Sequence, residues 1–182
     1  MNINGLFVKI MINILHHYNH EKYWKMRSEV INPNSKLPKI IRLYYLLRIK
    51  RTDAFNNASM GTNLGSGAIF ETPPCLPHCL NGIIISHYAK VGKHCTIFQQ
   101  VTIAQDAYNR SAVIGDRCCI GAGTKIIGNV KIGNDVKIGA NCVVVKDIPD
   151  NCTAVGVPAR LIFHQDGCEV NTDNIQSDYI AN

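Results

Sequence analysis

No stretch of this 182-residue sequence is apolar for long enough to span a membrane. The best candidate, residues 3–15, is short and carries Lys9, whereas a spanning helix needs about 20 apolar residues. No small-residue cleavage site follows it, so it reads as an amphipathic helix that could at most touch a membrane surface, not as a signal peptide. There is no basic stripe studded with aromatics and no nucleic-acid motif. The formal charge of +6 therefore suits an anionic ligand or a scatter of turn lysines, and no nucleic acid is expected. Metal-site spacing is also missing. Cys75 and Cys79 lie four apart, but no second ligand pair follows them, so no metal is expected.

What is present is a spacing of six. Ile85, Val91, Ile97 and Ile103 follow one another at that interval, and the beat resumes at Ile114, Ile120, Ile126, Ile132, Ile138 and Val144. A small residue follows most of these guide residues: Gly92, Gly115, Gly121, Gly133 and Gly139. Four places after each guide comes another small or β-branched residue, among them Ala89, Cys95, Val101, Cys118, Thr124, Val130, Val136 and Cys142. Neither a helix of period 3.6 nor an alternating strand produces this pattern. A hexapeptide period marks a parallel β-helix, whose coils bury their apolar faces only by stacking. At three hexapeptides per coil, residues 58–150 predict about five coils.

The same register explains the cysteines. Cys95, Cys118 and Cys142 fall where a small inward residue is wanted, and a buried free thiol behaves as a small hydrophobe. Unpaired buried thiols point to a reducing compartment, hence the cytoplasm.

Ahead of the beat, helical spacing covers residues 5–31 (Leu6, Phe7, Ile10, Ile14, Tyr18) and about 38–50 (Ile40, Ile41, Tyr44, Leu47), with Pro33 and Pro38 between them. Lys39, Arg42, Arg48 and Lys50 read as a solvated basic face. The coil is expected to start near Ala58, with Leu64 and Phe70 at guide positions and Gly61, Gly65 and Gly67 at corners. Two breaks interrupt it. Pro73, Pro74 and Pro77 form a loop ending at His78, and the step from Ile103 to Ile114 is eleven instead of six. That second break extrudes Gln105–Ser111, and loops thrown out from a rigid scaffold commonly carry function. The segment Gly156-Val157-Pro158-Ala159-Arg160 ends the coil, and a polar tail follows.

These residues resemble a known family. The hexapeptide beat, Ile120-Gly121-Ala122-Gly123-Thr124, Val144-Val145-Lys146-Asp147-Ile148-Pro149 and Ala154-Val155-Gly156-Val157-Pro158-Ala159-Arg160 are similar to the left-handed β-helix acyltransferases. Pro77-His78-Cys79-Leu80-Asn81-Gly82-Ile83-Ile84-Ile85 is similar to the serine acetyltransferase branch and its short relatives in surface-polysaccharide gene clusters. The resemblance covers about residues 55–163. It implies a mainly β fold, a left-handed parallel β-helix of hexapeptide repeats with a short α-helical N-terminal extension. The divisions are then 1–54 helical, 55–163 β-helix and 164–182 tail.

It also implies acetyl transfer from acetyl-CoA to a hydroxyl, in a homotrimer with sites between neighbouring subunits. His78 matches the catalytic histidine, and an imidazole titrates close enough to neutrality to take the acceptor's proton. Glu71, at the start of the same loop, is the acidic candidate for orienting it; a solvated carboxylate is the equal alternative. His87 is the rival base and, with Asn109 and Arg110 of the extruded loop, a candidate for the acceptor pocket. His94 reads as surface, and His16, His17 and His20 as non-catalytic. For the coenzyme, Gly121, Ala122, Gly139 and Ala140 are small enough to let a ligand approach backbone amides, while Lys146 and Arg160 could meet its phosphates.

The chain also departs from serine acetyltransferases. Asn57 stands at the position matched to that family's catalytic aspartate, and Asn109-Arg110-Ser111 lacks its second histidine. The expected acceptor is accordingly a sugar hydroxyl of a surface polysaccharide precursor, with L-serine as the alternative. A non-catalytic β-helix binding module is the second alternative.

Overall fold

The computed structural model describes residues 17–163. The expected helical residues 5–16, the membrane contact assigned to them and the tail after 163 lie outside the described residues. Two helices come first, α1 (His20–Ile31) and α2 (Lys39–Phe55). Asn19 caps α1 by accepting from the Lys22 amide at 3.0 Å. Pro38 precedes α2, where a missing N–H costs nothing. The second helix runs five residues past its expected end, because Ile49 and Asp53 continue its buried side.

Short strands follow: the hairpin β1 (Thr62–Asn63) and β2 (Ser66–Gly67), then β3 (Ile69–Phe70), β4 (Ile84–Ile85), β5 (Lys90–Val91) and β6 (Thr96–Ile97). Next come β7 (Thr102–Ala104), β8 (Val113–Ile114), β9 (Cys119–Ile120), β10 (Lys125–Ile127), β11 (Lys131–Ile132) and β12 (Lys137–Ile138). The last are β13 (Val143–Val144), β14 (Cys152–Val155) and β15 (Arg160–Phe163). They form three faces. The first holds β4, β7, β10 and β13, the second β3, β5, β8 and β11, and the third β6, β9, β12, β14 and β15. Pairing is parallel throughout the faces except for β15, which turns back antiparallel on β14.

The chain visits the faces in rotation, giving five coils. Isolated bridges complete the ends: Ser59 with Ile84, Cys75 with Thr96, and Ile132 with Ile148. The guide residues Ile97, Ile103, Ile120, Ile126 and Val144 are fully buried, as are Cys95, Val101, Thr124, Val136 and Cys142 four places after a guide. Each such aliphatic side chain contributes about 1.5–3 kcal/mol of burial. One expectation needs correcting. Leu64 lies in the turn of the β1–β2 hairpin and not on a coil strand, so the step from Met60 to Phe70 is a third break in the beat.

Three edges join the faces. From third to first run the corners around Asn81, Gln100, Ala122 and Asn141, tied by bonds from Gln100 N to Asn81 O, Gly123 N to Gln99 O and Asn141 N to Ala122 O; this is the His78 edge. From first to second run Ser86, Gln105 and Lys146, the loop edge. From second to third runs a ladder of side-chain acceptors: Asp116 to the Lys93 amide at 2.7 Å, Asn134 to the Asp116 amide and Asp150 to the Asn134 amide, both at 2.8 Å. This last is the aspartate edge.

The helices are fastened to the first coil by Arg27. Its guanidinium is buried and donates to Thr62 Oγ1 and Met60 O at 3.0 Å and to Ala68 O at 2.6 Å. It also lies 4.8 Å from the Phe70 ring centre. Beside it Tyr23 OH donates to Asp53 Oδ1 at 2.6 Å.

Candidate active site

His78 sits on the third-to-first edge, in the turn that follows the Cys75 bridge. The proline-rich segment does not leave the coil: Pro74 and Leu80 are buried and Cys75 keeps its place on the third face. The insertion is short, for Leu76 to Ile85 is a step of nine where six is due. That surplus turns the imidazole outward. It is exposed, its ring lies 6.1 Å from that of Phe98, and among the described residues it makes no hydrogen bond or ion pair.

Gly121, Ala122, Gly139 and Ala140 lie on the same edge, two and three coils along. Their smallness has a structural cause that competes with ligand approach. A Cβ on Gly121 would stand 2.7 Å from both Ala140 N and Ile138 O, which are backbone atoms of the next coil. At Gly139 the nearest atom would be Val155 Cγ1 at 3.1 Å, a side chain that can move.

The other candidates lie elsewhere. Glu71 is on the aspartate edge, 3.8 Å from Lys93 Nζ; the third face separates it from His78, and the structure does not bring the two together. Asn57 is exposed just after α2, with a φ of +49°. His87 is half-buried on the loop edge, stacked edge-on to Tyr88. The extruded loop stands above it. Ser86 Oγ donates to Gln105 Oε1 at 2.9 Å, and Gln105 Nε2 donates to Asn109 Oδ1 at 2.8 Å. Arg110 does not reach outward freely: its Nε is 2.8 Å from Asp106 Oδ2, and its guanidinium lies over Tyr108. Asp106 also accepts from the Tyr108 and Arg110 amides, and these bonds hold its carboxyl below the usual range.

Lys146 is exposed at the far end of the coil. It lines a hollow of about 180 Å³ with Pro158, Ala159 and Leu161. Arg160 begins β15 and is exposed, outside that hollow. Among the described residues no group of three or more histidine, cysteine or acidic side chains is placed to hold a metal ion.

Phe98 and Gln99 lie on the His78 edge, and the six-residue beat did not single them out. The Gln99 side-chain oxygen is buried on the His78 edge without a hydrogen-bond partner among the described residues. A signal existed: where later coils place Gly121-Ala122-Gly123 and Gly139-Ala140 at this corner, the second coil places Phe98-Gln99-Gln100.

Comparison with known proteins now bears on this geometry. Residues 111–146 match the bacterial transferase hexapeptide (six repeats) family. The chain is similar to a serine acetyltransferase of Synechococcus elongatus, 35% identical over 131 residues, covering 70% of this chain and 50% of the relative. A serine acetyltransferase of Mycobacterium tuberculosis is 38% identical over 111 residues, covering 59% of this chain and 48% of the relative. The crystal structure of serine acetyltransferase from Brucella abortus superposes with a TM-score of 0.60 at 28% identity, covering 70% of this chain and 50% of that one. The chain thus spans about half the length of these relatives. No helix among the described residues is long and apolar enough to cross a membrane.

Proposed function

We propose that this protein is an acetyl-CoA-dependent O-acetyltransferase built on a left-handed β-helix and working in the cytoplasm. The observation that carries the reading is His78: an outward imidazole, without a hydrogen bond among the described residues, on the edge that also carries Gly121, Ala122, Gly139 and Ala140. Its nitrogen takes the proton of the acceptor hydroxyl as the oxygen attacks the thioester carbonyl. The acetyl group moves to the oxygen, and coenzyme A leaves as the thiol, its sulfur taking the proton from the imidazolium. Lys146 and Arg160 meet the coenzyme's phosphates, and neither step needs a metal.

The relatives' names favour L-serine as acceptor over the sugar hydroxyl expected from the sequence. A sugar hydroxyl remains the second reading because the extruded loop has no histidine and its Arg110 is tied to Asp106. The candidates also divide between two edges, with His78 on one and His87, Asn109, Arg110 and Lys146 on the other. A homotrimer brings one subunit's His78 edge to its neighbour's loop edge, which completes the site.

Thiol release from acetyl-CoA tests the proposal, with L-serine and a panel of amino and neutral sugars as acceptors. Serine-dependent release supports the first reading and sugar-dependent release the second. If no acceptor is acetylated, the scaffold is a binding module.

A further inference from the structure

The second helix has a face that no other described residue covers. At 3.6 residues per turn, Ile40, Leu43, Tyr44 and Leu47 fall on one strip of α2, and they are 74%, 42%, 53% and 66% exposed. Arg51 continues the strip, Lys39 and Lys50 border one side and Arg48 the other, all exposed. The helix has one acid, Asp53, and it is buried on the opposite side against Tyr23. The outward surface of α2 therefore carries cations and no carboxylate.

Alongside it, between α1 and α2, runs a groove of about 550 Å³ lined by Lys22, Lys25 and Arg48 with Tyr44 and Tyr45. Its one acid, Glu29, already accepts from Ser35 Oγ at 2.6 Å. Among the described residues Lys22 and Lys25 make no side-chain ion pair, and Arg48 donates to the Tyr44 hydroxyl at 3.2 Å.

We propose that this α1–α2 face docks on an anionic phospholipid surface. Ile40, Leu43, Tyr44 and Leu47 enter the boundary between headgroups and acyl chains, and Lys22, Lys25 and Arg48 meet the phosphates. An apolar strip bordered by cations is the pattern of an interfacial helix. A second copy fits poorly, because a two-fold contact across the strip would set Lys39, Arg48, Lys50 and Arg51 of both copies against each other with no acid to pair them. The inference is independent of the acetyl-transfer reading.

The test is co-sedimentation of the full chain with phosphatidylcholine vesicles containing or lacking phosphatidylglycerol, at low and high salt. Binding is expected only with phosphatidylglycerol and weaker in high salt, where surface charge is screened. Leu43→Ser with Leu47→Ser should lower it by about tenfold or more. Lys22→Gln with Lys25→Gln should lower it by about 25-fold, since each basic residue near an anionic surface counts for about fivefold. Both variants should keep the wild-type unfolding midpoint. Equal binding to both vesicles, or none, overturns the proposal. So does undiminished binding by the Leu43/Leu47 variant, which would assign the contact to another segment such as residues 3–15. A smaller sedimenting species for that variant without lipid also overturns it, because the strip would then be an interface between copies.

Discussion

His78 and Phe98 face each other across one corner of the coil, ring centres 6.1 Å apart and planes tilted by 46°. Phe98 belongs to the second coil and gives the imidazole a wall without giving it a hydrogen bond. On the proposed reading, the proton-accepting nitrogen is left for the acceptor. His78→Ala should therefore lower turnover by ~10²–10⁴-fold, the size of a general-base contribution, with acetyl-CoA binding nearly unchanged by calorimetry. His87→Ala is the control, since His87 sits on another edge. Loss of activity in His87→Ala but not in His78→Ala would reverse the assignment of the base.

The placement of Glu71 gives a second expectation. Its exposed ion pair with Lys93 spans 3.8 Å on the aspartate edge, and exposed pairs contribute about 0–1 kcal/mol. Glu71→Gln should leave turnover within about twofold and the pH profile unmoved, because a carboxylate that orients a histidine has to touch it. A large drop in turnover with a shifted profile would show that the assembled protein brings Glu71 to His78.

The fold was legible in the sequence because coil stacking writes itself into spacing. Each guide residue must point inward at one fixed angle, so Ile97, Ile120 and Cys142 could be placed before any coordinates. Leu64 fitted the beat by number, yet Gly61, Gly65 and Gly67 let the chain fold back as a hairpin, with φ of +57° and +79° at the first two. Arg27 could not be foreseen, since a helix arginine normally faces water; the Thr62 hydroxyl and the carbonyls of Met60 and Ala68, all more than thirty residues away, explain its burial. The candidate site was half legible. His78 drew notice by breaking the beat, but which edge each candidate occupies depends on where the inserted residues fall, and so Glu71 read as its neighbour.

Gly121 and Gly139 separate packing from binding. Gly121→Ala puts a methyl group against backbone of the next coil and should cost about 1–3 kcal/mol in denaturant unfolding, as overpacking does. Gly139→Ala meets the Val155 side chain at 3.1 Å and backbone no closer than 3.5 Å, and should cost less. If both instead leave stability alone and raise the Michaelis constant for acetyl-CoA, their smallness serves the coenzyme.

Asp53 gives a pH prediction. Burial raises its carboxyl above the ordinary range, with the Tyr23 hydrogen bond opposing that shift only in part. A carboxyl whose folded pKa exceeds its unfolded value holds its proton more tightly when folded. Its contribution is present at acid pH and lost as pH rises through the raised pKa. Asp53→Asn keeps an acceptor for Tyr23 and removes that loss. The variant's stability relative to wild type should therefore increase from acid to neutral pH. A difference that stays constant across that range would show that Asp53 ionises normally in the fold.

The division of candidates between two edges makes the assembly testable. Take one variant with His78→Ala and another in which Tyr108-Asn109-Arg110 is replaced by glycines. If a single subunit held the whole site, mixed assemblies would contain no intact site. If each site joins the His78 edge of one subunit to the loop edge of the next, some contacts in a mixed trimer pair two unaltered edges. After unfolding and refolding together at equal amounts, about a quarter of the sites should be intact by random assortment around a closed ring. Refolding each variant alone and then mixing should recover nothing, because the subunits have not exchanged. Recovery in the first experiment and not in the second supports the shared site; no recovery in either, with trimers verified by sedimentation, would put the whole site on one chain.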